Sequence, residues 1–347
     1  MPAKPTRPRV QPKPRGCKPK RSSWRFVLWL AVLALVVPAL LLFLPTRQQP
    51  KLTPREGLAL RDARSWGYQL QNVTQRTIPD ALDLLVVDYS RDGSERRVFS
   101  RDDVERLRTR TDGSKRIVLA YMSIGEAESY RYYWQSGWAP GSPSWLGPES
   151  DEWKGNYAVR YWEPGWWNII MPPADAADQN RLQRIALSFR PGPRPYLDRI
   201  IDAGFDGVYL DRIDAYDHWA AEYKDAMAQM VRFVSAISAY AKGRRAGFLV
   251  VPQNGEELLR LPAYRRVIDG IAKEDLVYGV KGDGQPNEAG ITKTGIRDLN
   301  LLKAEGRPVF VVEYLSEPAQ RADALKQLAR EGYVVHFAKR DLHQVPE

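Results

Sequence analysis

Cysteine is almost absent. Cys17 is the only one in 347 residues, so no disulfide can close within the chain and no cysteine-rich zinc or iron–sulfur site can be built. It follows Pro14-Arg15-Gly16 rather than an apolar stretch, so it does not read as a lipid-acceptor cysteine. Histidine is nearly as scarce: only His218, His336 and His343 occur. No HExxH or other paired-histidine motif can be assembled, which makes zinc the poorest candidate metal. The phosphate-cradling patterns GxxxxGK[ST] and GxGxxG are also missing. Acidic residues are lacking from positions 1–25, which hold nine bases. That segment accounts for nearly all of the formal net charge of +10, since the other 322 residues carry 43 bases against 42 acids. Whole-chain charge therefore offers no argument for nucleic acid as a partner.

Residues 1–23 are rich in Pro, Lys and Arg without periodicity, the composition of a solvated tail. Residues 24–44 contain the run Phe26–Leu44, 19 positions without a charge. This is long enough for a transmembrane anchor, and Pro38 is compatible with one. The positive flank lies N-terminal, which predicts a cytoplasmic tail, a single pass through the inner (cytoplasmic) membrane and an extracytoplasmic C-terminal part. The rival is a signal peptide cut near Val37-Pro38-Ala39, which would make the protein secreted. The apolar run exceeds the about 7–15 residues of a signal core, which favours the anchor. Residues 45–62, with Pro45, Pro50 and Pro54, read as a linker.

Residues 63–347 are close in length to the roughly 250 residues of a (β/α)8 barrel. Short apolar runs alternate with amphipathic helical stretches, predicting an α/β fold of TIM-barrel type. Strands are expected at Tyr68–Val73, Leu84–Asp88, Ile117–Ser123, Tyr157–Tyr161, Gly207–Asp211, Phe248–Gln253, Ile268–Glu274, Val309–Glu313 and Tyr333–Ala338. These are nine candidates where a barrel needs about eight. Ser100 and Asp103 form a capping box ahead of Val104 and Leu107. Gly204, Gly243 and Gly332 each follow a helical stretch, as helix C-termini favour. One long helix is expected near Trp219–Ala241, from the 3.6-residue repeat of Met230, Phe233, Val234, Ile237 and Tyr240.

The strand ends carry the chemistry. Apolar runs lead into Asp88, Glu126, Asp211, Gln253-Asn254, Glu274 and Glu313. In a barrel these ends share the face where active sites are built. Converging carboxylates suit glycoside hydrolysis, in which one acid protonates the leaving oxygen and a second supports the oxocarbenium-like centre. Held close, like charges raise one partner's pKa and create that asymmetry. Any one of these acids could instead cap a helix, and together they could hold Mg2+ or Ca2+. A metal-dependent hydrolase and a non-catalytic carbohydrate-binding barrel are thus the alternatives. The pattern implies no cofactor.

Seven of the 11 tryptophans fall within residues 134–167. Aromatic side chains suit stacking on sugar rings, so this stretch, Trp162 included, is a candidate binding loop. Tyr121, Glu126, Glu128, Arg131, Asp214 and Asn254 complete the expected binding set, with Asp88 and Glu313. Lys273 alternates with Glu274 along its strand and is expected to face the helices.

Two segments, Tyr121-Met122-Ser123-Ile124-Gly125-Glu126-Ala127-Glu128-Ser129-Tyr130-Arg131 and Gly204-Phe205-Asp206-Gly207-Val208-Tyr209-Leu210-Asp211-Arg212-Ile213-Asp214-Ala215-Tyr216, resemble the MJ1477/TM1410-like glycoside hydrolases. That group is related to the endo-α-1,4-polygalactosaminidases of glycoside hydrolase family 114. Val251-Pro252-Gln253-Asn254-Gly255 and Lys273-Glu274-Asp275-Leu276-Val277-Tyr278 match further signatures. The resemblance spans residues 66–342. It implies a TIM barrel and an endo-acting enzyme working on an amino-sugar-rich polysaccharide, with Asp211 and Glu274 as the catalytic pair. Arg212 stands where fungal members of the family carry Asn.

Overall fold

The computed structural model describes residues 57–172 and 193–345, all within one unit, Lys51–Glu347. Among the described residues no helix is long and apolar enough to cross a membrane. The expected anchor at 24–44, and the tail before it, lie outside the described residues.

The fold is α/β, built on parallel strands. In chain order the strands are β1 (Trp66–Gln69), β2 (Leu84–Val87), β3 (Ile117–Ser123), β4 (Glu126–Glu128), β5 (Leu146–Glu149), β6 (Asn156–Val159), β7 (Gly207–Asp211), β8 (Leu249–Pro252), β9 (Ile271–Glu274), β10 (Tyr278–Gly279), β11 (Gly282–Pro286), β12 (Val309–Glu313) and β13 (Val334–Phe337). Five of them form a parallel sheet ordered β1-β2-β3-β7-β8, and three more form a parallel sheet ordered β13-β12-β9. A parallel bridge between Gln253 and Ala272 links β8 to β9. On the other side, the Trp66 indole N–H donates to the Val334 carbonyl at 3.0 Å, linking β1 to β13.

These eight strands read as near-continuous apolar runs because both faces are buried. Alternate side chains pack into different cores. Trp66, Tyr68, Leu84, Val86, Leu119, Tyr121, Tyr209, Val251, Ala272, Phe310, Val312 and Tyr314 share one cluster. Leu85, Val87, Val118, Ala120, Val208, Leu210, Val250, Ile271 and Val311 join the helices in the other. This parity sets what each strand end offers. Asp211 follows Tyr209, Gln253 follows Val251 and Glu274 follows Ala272, so all three point to the first face. Glu313 follows Val311 and points to the second.

Eight of the nine expected strands belong to the parallel sheets. The ninth, Tyr157–Tyr161, is β6 in a separate antiparallel sheet ordered β4-β6-β5. β4 follows β3 after only Ile124 and Gly125. Gly125 is required there, because a Cβ would lie 2.3 Å from the Arg212 carbonyl oxygen. The expected long helix starts later, as Ala226–Arg244, and a separate short helix, Ala215–Trp219, precedes it. Trp162 packs just ahead of the long helix, 5.6 Å from the Trp219 ring and 4.6 Å from that of Tyr223. The Ser100 capping box is present at helix Arg101–Arg108, and Gly204 closes helix Tyr196–Ala203 at φ +92°. Asp206 accepts from the Val118 N–H at 2.9 Å and pairs with Arg108 at 2.8 Å, pinning the turn before β7.

Candidate active site

Asp211 and Glu274 end β7 and β9 on the same face. Each is held by one tyrosine and one amide. Asp211 Oδ2 accepts from the Tyr121 hydroxyl at 2.7 Å, and Oδ1 accepts from Gln253 Nε2 at 3.2 Å. Glu274 Oε2 accepts from the Tyr314 hydroxyl at 3.1 Å, and Oε1 accepts from Asn254 Nδ2 at 2.8 Å. Asn254 is oriented in turn, since its Oδ1 accepts from the Glu274 N–H at 3.2 Å and from Lys273 Nζ at 3.3 Å. Lys273 leaves its strand away from Glu274, as expected, but its amine ends at the site rather than among the helices.

The backbone contributes as well. Arg212, Asn254 and Asp275 adopt φ of 60°, 63° and 53°, each one residue past Asp211, Gln253 and Glu274. Left-handed backbone is uncommon for non-glycine residues and concentrates at functional sites. At Arg212 it turns the N–H back onto Asp211 Oδ1 at 2.7 Å.

Burial and the neighbouring Glu274 charge push the Asp211 carboxyl up to about 7. Asp211 therefore holds its proton to a higher pH than an ordinary aspartate, because of where both groups sit. Beneath them Tyr68 and Tyr209 are buried. Their hydroxyls are driven well up, first by burial and then by the two carboxylates. The Tyr209 hydroxyl has no hydrogen-bond partner among the described residues. A low-dielectric floor of this kind strengthens the mutual repulsion of the carboxylates.

A second ionic group flanks the pair. Arg131 Nη1 lies 2.6 Å from Asp88 Oδ2, and its Nε lies 2.7 Å from Glu128 Oε2, all three side chains being buried. Burial raises Asp88 although Arg131 opposes the effect. Glu126 meets Arg212 Nε at 2.9 Å and Asn156 Nδ2 at 3.2 Å, and Asp214 lies 3.7 Å from Arg212. Burial raises both of these carboxyls, with Arg212 opposing it. Arg212, through Glu126, Asp214 and its own N–H, ties this flank to Asp211.

Two expected residues have other surroundings. Glu313 accepts from the N–H groups of Val277 (2.7 Å) and Tyr278 (3.1 Å), bracing the loop after β9. Its carboxyl is pushed up to about 7 by burial, against those hydrogen bonds. Trp162 sits in the aromatic cluster with Tyr161, Trp219 and Tyr223. The sequence reading missed Gln253 and Tyr314 as partners of the pair. Strand parity was the signal for both, since Gln253 follows Val251 and Tyr314 follows Val312. Among the described residues, no group of three His, Cys, Asp or Glu side chains is placed to hold a metal ion.

Two carboxylates at the C-terminal ends of parallel strands, sharing one face, are an arrangement that suits a glycoside hydrolase. The model of glycoside hydrolase family GH114 matches residues 45–185 and 192–347, and the chain belongs to that family. It is 36% identical over 291 residues to protein MJ1477 of Methanocaldococcus jannaschii, covering 80% of this chain and 75% of that one. It is 33% identical over 302 residues to a Deinococcus radiodurans protein, covering 85% and 87%. A Thermotoga maritima protein is 32% identical over 292 residues, covering 80% and 81%. Among solved structures, the fold is similar to the glycoside hydrolase domain of PelA from Pseudomonas aeruginosa. The TM-score there is 0.54 at 18% identity, covering 81% of this chain and 96% of that one.

Proposed function

We propose that this glycoside hydrolase is extracytoplasmic and cleaves within an amino-sugar-containing polysaccharide of the α-1,4-galactosaminide type, using Asp211 and Glu274. The observation that carries the reading is the placement of both carboxylates on one face, each gripped by a tyrosine and an amide. Three donors converge on Asp211 and oppose the rise that burial and Glu274 impose on it, which supports its carboxylate when it acts as nucleophile or electrostatic stabiliser. Glu274 delivers the proton to the leaving oxygen as acid/base. Asp88, Tyr121, Glu126, Glu128, Arg131, Asp214 and Asn254 surround the pair, and their acidic balance suits a cationic glycan.

The eight parallel strands close in this reading into a (β/α)8 barrel. The Gln253–Ala272 bridge and the Trp66–Val334 hydrogen bond support closure. The basic tail and the apolar run support a single-pass anchor in the cytoplasmic membrane with the catalytic unit outside it.

The test is reducing-end release from de-N-acetylated and acetylated polysaccharides. Asp211→Asn and Glu274→Gln should each abolish it while the far-ultraviolet circular dichroism is unchanged. Full activity in both variants refutes the assignment.

A further inference from the structure

Tyr130 is an exposed residue with almost no freedom to move. It is 52% exposed, yet three neighbours hold it. Its hydroxyl donates to Glu128 Oε1. The Arg131 guanidinium lies 4.9 Å from its ring centroid. At Gly93 the backbone passes so close, at φ +76°, that a Cβ would lie 2.8 Å from the ring. The supports are themselves fixed. Glu128 takes two contacts from Arg131, at 2.7 and 3.1 Å, and Arg131 is anchored to Asp88 at 2.6 Å. Exposed tyrosines held by no neighbour turn freely, and each loses rotamer entropy when a ligand fixes it. Here the protein has removed that freedom in advance.

We propose that Tyr130 is a stacking platform at the rim of the active site, a subsite for one pyranose ring of a neutral or cationic polysaccharide. The inference rests on the reading of the chain as a polysaccharide hydrolase and names where the polymer lies. Sugar rings present apolar C–H faces that pack on aromatic rings. Preorganised contact surfaces lower the entropic cost of binding. The position is adjacent to the chemistry: Arg131 lies 6.0 Å from the Tyr121 ring, whose hydroxyl holds Asp211. Two carboxylates, Asp88 and Glu128, face the single Arg131 charge below the ring, so the platform carries negative charge and disfavours an anionic glycan.

Affinity electrophoresis tests this independently of cleavage. The full-length chain, kept in mild detergent, is run through gels containing soluble de-N-acetylated or acetylated polysaccharide. Wild type should be retarded. Tyr130→Ala should bind about tenfold more weakly, the change that about 1.4 kcal/mol produces. Tyr130→Phe, which keeps the ring, should retain most of the retardation. Equal retardation of wild type and Tyr130→Ala overturns the inference, as does loss in Tyr130→Phe as large as in Tyr130→Ala, or no retardation of wild type in any gel. Retardation without reducing-end release would instead overturn the hydrolase reading and leave the platform standing.

Discussion

Replacing Asp211 by Asn should stabilise the fold, and more so as the pH rises. The amide keeps the size of the carboxyl and its fit to the donors. Its oxygen accepts from Arg212 N–H and Gln253, and its NH2 turns to the Tyr121 oxygen, which can accept. What disappears is a buried charge beside Glu274. The native carboxyl is pushed from 3.8 to about 7. A gap of about three pH units at about 1.4 kcal/mol each sets an upper limit of about 4 kcal/mol. Asp211 is only half-buried, and screening by water lowers this to about 2–3 kcal/mol. The sign follows from proton uptake. The unfolded carboxyl releases its proton near 3.9, whereas the folded one keeps it to about 7. This group's contribution is therefore fully present below about pH 4 and is lost as the pH rises through about 7. The variant has no such loss. Urea unfolding followed by tryptophan emission at pH 5 and pH 8 measures it. The variant's advantage should widen by about 1–2 kcal/mol between the two pH values. An advantage that stays constant, or reverses, would show that Asp211 is not held under electrostatic strain.

Other perturbations have equally definite outcomes. Tyr314→Phe removes the hydroxyl donor to Glu274. A hydrogen bond to a charged group is worth about 1.5–3 kcal/mol, so kcat should fall about 10- to 100-fold with KM and melting temperature little changed. Arg131→Met strands Asp88 and Glu128 as unpaired buried charges and should cost about 3–5 kcal/mol in urea unfolding. Gly125→Ala drives a methyl against the Arg212 carbonyl and displaces the N–H that holds Asp211. It should lose stability by about 1–3 kcal/mol and lose most of its turnover, while substrate binding in affinity gels persists.

Much of this site was legible from period-two alternation. Once Tyr209-Leu210-Asp211 and Ile271-Ala272-Lys273-Glu274 are read as strands, Asp211 shares a side with Tyr209, and Glu274 with Ala272. The same alternation places Glu313 on the opposite side, although its position after Phe310-Val311-Val312 made it look like another converging acid. That the long helix starts at Ala226 rather than near Trp219 was not legible. The repeat from Met230 to Tyr240 does not mark where the helix begins, and Trp162 packs against Trp219 and Tyr223 just ahead of it. Nor could the sequence reveal that Lys273 bends back to Asn254, because a four-carbon side chain reaches well past the face its Cβ defines.

By itself the sequence determined the elements, the faces of the strands and the residues available for chemistry, because helix and strand periodicity are local properties of the backbone. Tertiary structure decided which of those residues meet. Asp211 and Glu274 come together only because β7, β8 and β9 are successive neighbours, joined by parallel pairing and by the Gln253–Ala272 bridge. The rise of the Asp211 carboxyl to about 7 comes from burial and from a charge brought close across the fold. Burial and proximity of charges are long-range properties, absent until the strands assemble.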